Sequence, residues 1–72
     1  MTPGQCRAAR ALLDWRQIDL AKAAGLGQST VAHFERSKLV VAAESIAKMQ
    51  LAFEDAGIEF TGGRRPGVRM KG

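Results

Sequence analysis

The stretch QIDLAKAAGLGQSTVAHFE, residues 17–35, constrains this chain more than any other. It holds two short helical patterns that meet at Gly25, and neither carries enough apolar surface to be stable alone. Leu20 and Ala24 face inward from the first helix, and Val31 and Phe34 from the second. Ala21 supplies the small residue that a steep helix crossing requires. Gly25 stands where a left-handed residue ends the first helix, since glycine has no Cβ to clash there. Leu26 then plugs the turn. Leu20, Ala21, Ala24, Gly25, Leu26, Val31 and Phe34 thus agree, at fixed spacing, on a helix-turn-helix. A generic helical hairpin of this length needs no such agreement. The second helix leaves Ser29, Ala32, His33 and Arg36 on its outward side, which suits a helix held clear of the body to enter a major groove.

The flanks supply the remaining elements. TPGQ opens a first helix over 3–14, with Thr2 as cap, Pro3 in the first turn and Gln5 completing a capping box. Cys6, Ala9 and Leu13 share its apolar stripe, and Arg10 lies on the edge of that stripe, where a charge needs a partner. Helices over 17–24 and 28–36 follow, then a fourth over 43–56 with Ile46, Met49 and Phe53 inward and a stop at Gly57. IEF and VRM alternate apolar and charged residues with the period of a strand, around the turn-rich TGGRRPG. A short β-hairpin is the first reading of residues 58–72, and a flexible basic tail is the other. The expected division is a helix-turn-helix DNA-binding domain over 1–57 followed by that segment. The fold class is all-α, four helices with a short C-terminal hairpin or tail.

A length of 72 residues accommodates one domain. The net charge of +4 is uneven. Arg7, Arg10, Arg16, Lys22, Arg36 and Lys38 crowd the first half, Glu44, Glu54, Asp55 and Glu59 make residues 41–60 acidic, and Arg64, Arg65, Arg69 and Lys71 close the chain. A basic face suggests a polyanion partner, although ordinary solvated charge gives the same count. One histidine, one cysteine and no clustered carboxylates argue against acid–base, nucleophilic or metal chemistry, so neither an enzyme nor a cofactor or metal site is expected. Cys6, on an apolar face, reads as a buried thiol rather than a reactive one. Trp15 reads as a core plug at the corner of the first two helices rather than a stacking platform. No segment has the length and apolarity of a membrane helix or the pattern of a signal peptide, and a cytoplasmic location is expected.

Residues 17–35, with RAARALLDW before them and AGIEF after, resemble the lambda-repressor-like, Xre-type helix-turn-helix transcriptional regulators over roughly residues 3–60. The resemblance implies that Gln28 and Ser29, which open the recognition helix, and His33 one turn on, read base edges. Gln28 has the amide for a bidentate contact to adenine, and Ser29 can donate to or accept from several bases. For His33, a base or phosphate contact competes with plain solvation. Gln17 matches a phosphate-holding position at the start of the second helix. Arg16, Arg36 and Lys38 are further candidates for the DNA backbone. Arg10 and Glu35 match a paired arginine and glutamate that bridge the first and third helices, an ion pair whose use is to set the angle of the recognition helix.

Three positions depart from the family pattern. Arg16 replaces the usual Ser or Thr cap of the second helix, where Asp19 can compensate in part. Gly27 replaces the cap of the third, and Ser37 stands in place of a glycine. The apolar run Leu39, Val40 and Val41, with Leu51, forms the expected dimer surface, unless the C-terminal hairpin covers it. Double-stranded DNA and a second copy are therefore the expected partners, with a palindromic operator as the site. The alternative is an antitoxin or adaptor that uses the same fold to hold a partner protein such as a toxin.

Overall fold

The computed structural model describes residues 1–37 and 40–71. Four helices, α1 (Pro3–Leu13), α2 (Gln17–Ala24), α3 (Gln28–Arg36) and α4 (Ala43–Asp55), are followed by strands β1 (Ile58–Thr61) and β2 (Gly67–Met70). The strands pair antiparallel with Ile58 opposite Met70, Glu59 opposite Arg69, Phe60 opposite Val68 and Thr61 opposite Gly67. The hairpin, and not a free tail, is the form that residues 58–71 take.

Local chemistry explains where α1 starts. The Gln5 backbone N–H donates to the Thr2 hydroxyl at 3.1 Å, and the Thr2 N–H donates to Gln5 Oε1 at 2.8 Å, which is a complete capping box. α1 ends one residue earlier than its apolar stripe suggests, because Asp14 adopts the left-handed conformation at φ 56°. Gly25 ends α2 at φ 70° as the turn requires, and its N–H donates to carbonyls of that helix. α4 stops at Asp55, with Gly57 at φ 98° reversing the chain into β1.

α2 packs between α3 and α4, α1 lies against α3 and β2, and β1 against α4. Cys6, Ala9, Leu20, Ala21, Val31, Phe34, Met49, Ala52, Phe53 and Ile58 form one buried core. Trp15 is half-buried and stacks on Phe53 with ring centroids 5.8 Å apart, so it plugs the α1–α2 corner as its position suggested. Phe60 meets the other side of Phe53 edge-on at 6.1 Å. Ile58 is fully buried, so the hairpin belongs to the core of the helical body. Gln5 ties the two together, since its Nε2 donates to the carbonyls of Thr61 at 3.1 Å and Gly67 at 3.0 Å.

Candidate nucleic-acid interface

The polar bonds that anchor α3 lie at one end. Glu35, in the last turn of α3, is buried, and every polar atom it carries is engaged. Arg10 grips its carboxylate with two bonds, Nε to Oε2 at 2.6 Å and Nη2 to Oε1 at 2.7 Å. The Cys6 thiol donates to Oε2 at 3.0 Å, and Gln17 Nε2 donates to Oε1 at 3.2 Å. The Arg7 guanidinium donates to the Glu35 backbone carbonyl, one of the acceptors left open at a helix C-terminus. Arg10 also donates to the Trp15 carbonyl at 3.1 Å and so holds the corner that leads into α2. One glutamate thereby fixes α1, α2 and α3 to one another.

The electrostatics of this node follow from its bonds. Burial alone would raise the pKa of Glu35, but the donors Arg10, Cys6 and Gln17 outweigh it and hold the carboxyl below its ordinary value. Burial, followed by the bond to that carboxylate, pushes the Cys6 thiol far above the normal thiol range. Cys6 is therefore a neutral donor in the core and not a nucleophile.

The other end of α3 is open. Gly27 has no side chain to cap it, and the bond at the cap among the described residues is from the Thr30 N–H to the Gly27 carbonyl at 3.1 Å. Gln28, Ser29 and Arg36 are exposed, Ala32 and His33 are half-buried, and none of the side chains of Gln28, Ser29, His33 and Arg36 has a hydrogen-bond or ion-pair partner among the described residues. At ~100° per residue these five positions fall within about 140° of the helix circumference, opposite Val31 and Phe34. His33 is thus less exposed than its outward position in the sequence implied.

The start of α2 differs from expectation in one respect. The Arg16 N–H donates to Asp19 Oδ2 at 2.8 Å, and the Arg16 guanidinium donates to both carboxylate oxygens at 3.1 and 3.0 Å. Asp19 supplies the cap that Arg16 lacks, and those two sets of bonds, side chain first, hold its pKa down to about 2. The Gln17 side-chain amide, expected at a phosphate, is turned inward because Glu35 offers it an acceptor. The backbone N–H groups of Gln17 and Ile18 have no partner among the described residues and remain open at this helix start.

The apolar surface expected at a dimer contact divides in two. Val41 is half-buried and packs on the core two residues before α4 begins. Val40 and Leu51 remain outside, at 103% and 58% exposure, joined along the outer side of α4 by exposed Ala43 and Ala47. Lys38 and Leu39, expected at a phosphate and in the dimer contact, lie outside the described residues.

Two short helices joined by a left-handed turn at Gly25 and packed through buried Ala21, with a polar face on the second that has no partner among the described residues, define a DNA-binding helix-turn-helix. The family model described as Helix-turn-helix matches residues 7–54, and the chain belongs to that family, in its Xre, lambda-repressor-like form. It is a DNA-binding regulator of transcription in the general sense that membership carries. A search of curated proteins returned no match. No helix of the described residues is long and apolar enough to cross a membrane.

Proposed function

We propose that this protein is a sequence-specific transcriptional regulator that places α3 in the major groove. Gln28 and Ser29, at the open end of α3, read base edges, and His33 adds a contact one turn later. Phosphates on either side are held by Arg36, by Lys38, by Arg16 and by the free N–H groups at the start of α2. Gln17 contributes through its backbone, and through its side chain it braces Glu35. Arg10 and Glu35 set the angle of the recognition helix. The observation that carries the reading is the asymmetry of α3, pinned by five bonds at Glu35 and unpartnered along its outer face.

A helix of nine residues spans only a few base pairs, so selectivity requires two copies on successive half-sites about one turn apart. The stripe Val40, Ala43, Ala47 and Leu51 is the surface we assign to that pairing. In the dimer the protein acts by occupancy of a palindromic operator in the cytoplasm. The same stripe is what a partner protein would use under the antitoxin or adaptor alternative.

Selection of bound sites from random duplex DNA, run in parallel with wild type and Gln28→Ala, tests the reading. The variant is expected to lose about 1–3 kcal/mol at the preferred site and to relax the choice at one base pair. Unchanged discrimination at every position would remove Gln28 as a reader.

A further inference from the structure

The net positive charge of this protein is not where the recognition helix is. Residues 1–60 carry seven Lys or Arg and seven Asp or Glu and are neutral as a unit, whereas residues 61–72 carry four Lys or Arg and no acid. Within the helical part, Arg10, Arg16 and Lys48 are paired with Glu35, Asp19 and Glu44, and Arg7 is engaged on the Glu35 carbonyl, while Lys22 and Arg36 are exposed with no ion-pair partner among the described residues. In the hairpin Arg69 is paired with Glu59, but Arg64 and Arg65 are exposed and have no hydrogen-bond or ion-pair partner among the described residues.

Those two arginines sit on a stiff support. Directly below the turn, the buried Gln5 amide holds the carbonyls of Thr61 and Gly67. At the open end the Lys71 N–H donates to the Gly57 carbonyl at 2.7 Å, and Ile58 is buried in the core. An anchored turn loses less conformational freedom on binding than a free tail carrying the same charges. The hairpin also lies on a different side of α1 from α3: Gln5 faces the strands, while Arg7, two residues on and so about 200° round the helix, faces α3. The two basic features are therefore separate surfaces.

We infer that the hairpin turn, through Arg64 and Arg65, is a second DNA-phosphate-binding element that adds to the sequence-independent part of the affinity. This rests on the DNA-binding reading above but not on α3 as the reader of sequence. A helical body with no net charge has little long-range attraction for a polyanion, so the segment that holds the excess charge strengthens capture of any duplex beyond what the contacts around α3 give. Specificity then comes from the face of α3.

The test is a fluorescence-anisotropy titration of a random-sequence duplex over a series of salt concentrations. It compares the full chain as wild type, the double variant Arg64→Ser/Arg65→Ser, the charge-keeping Arg64→Lys/Arg65→Lys, and Gln28→Ala. The serine variant is expected to flatten the log–log salt slope by about 1.8, at ~0.9 per phosphate contact. Between roughly 50 and 200 mM salt, wild type then loses about tenfold more affinity than that variant. The lysine variant should keep the wild-type slope, and site selection with the serine variant should return the wild-type preference. A serine variant that is folded by circular dichroism and keeps the wild-type slope and affinity would overturn the proposal, as would a lysine variant that behaves like serine. Failure of the recognition-helix reading is distinguishable, because it leaves discrimination intact in Gln28→Ala whatever the hairpin variants do.

Discussion

Arg10→Met and Glu35→Gln both break the same ion pair, yet the structure makes their costs unequal. The Glu35 side chain is 4% exposed and that of Arg10 is 19% exposed. With Arg10 replaced by methionine, a buried carboxylate keeps only the Cys6 and Gln17 donors and has no route to water. Stranding one member of a buried pair costs about 3–5 kcal/mol. With Glu35 replaced by glutamine, Arg10 retains the Trp15 carbonyl and an outlet to solvent, and the cost falls to about 1–3 kcal/mol, that of lost charge-assisted bonds. A domain of this length has a total stability of ~4–11 kcal/mol at 0.05–0.15 kcal/mol per residue, so the arginine variant stands near the edge of folding. The gap between the two variants is about 2 kcal/mol, or roughly 8–16 °C in Tm.

The pH dependence carries the sign. In wild type the Glu35 pKa is depressed, so its contribution is present above its ordinary value of 4.5 and is lost as pH falls below that. In Arg10→Met the upward push of burial is opposed only by the Cys6 and Gln17 donors, and the folded-state pKa is expected to rise above the unfolded one. Stability of that variant is then greatest below about 4.5 and is lost as pH rises through the raised value. Acidification from pH 7 to about 5 should therefore stabilise Arg10→Met and leave the wild-type Glu35 contribution in place. Urea denaturation followed by helical circular dichroism at both pH values measures this. An arginine variant no less stable than the glutamine variant at pH 7, or one that gains nothing on acidification, would refute the reasoning.

Two further substitutions probe the rest of the chain. Ser37 ends α3 in the left-handed conformation at φ 55°, so Ser37→Gly should raise stability by roughly 0.5–1 kcal/mol in a urea titration, and a lower midpoint would show that its hydroxyl compensates for the strain. Val40→Asp and Leu51→Asp should shift a dimer toward monomer and weaken operator binding with helicity intact; a wild type that sediments as a monomer at tens of micromolar, with and without operator, would move weight to the adaptor reading.

What the sequence revealed was what depends on neighbours along the chain. The capping box of Thr2 and Gln5 spans three residues, the left-handed turn at Gly25 depends on one residue type, and the helical stripes repeat within a turn or two. Each was readable because its cause is local. Contacts between distant segments were not. Gln5 reaches the Thr61 and Gly67 carbonyls across 56 and 62 positions, and no feature of TPGQ signals that second use. The Gln17 amide could be assigned outward or inward from its position at a helix start, and only the docking of α3 places Glu35 within its reach. Cys6 and Arg7 joined the same node unannounced, although Cys6 and Arg10 lie one turn apart on α1 and so share a face. That Val41 also packs on the core was not legible, because a loop has no period from which to infer direction.

The placement of the polar residues suggests how stability and recognition are kept apart in so small a domain. The bonds that fix α3 converge on Glu35, at the end of the helix away from Gln28 and Ser29. The start of α1 is closed by the Thr2–Gln5 capping box and Asp19 accepts from the Arg16 N–H ahead of α2, whereas the start of α3 has glycine and no side-chain bond. Leaving that start uncapped costs only a few tenths of a kcal/mol against a Ser or Thr cap. In return the N–H groups of Gln28 and Ser29 and their two polar side chains have no partner among the described residues, and neither side chain is part of the buried core. On the proposed reading, residues 28, 29 and 33 can vary with the sequence to be read, while a change at residue 10 or 35 would alter the angle at which all three are presented.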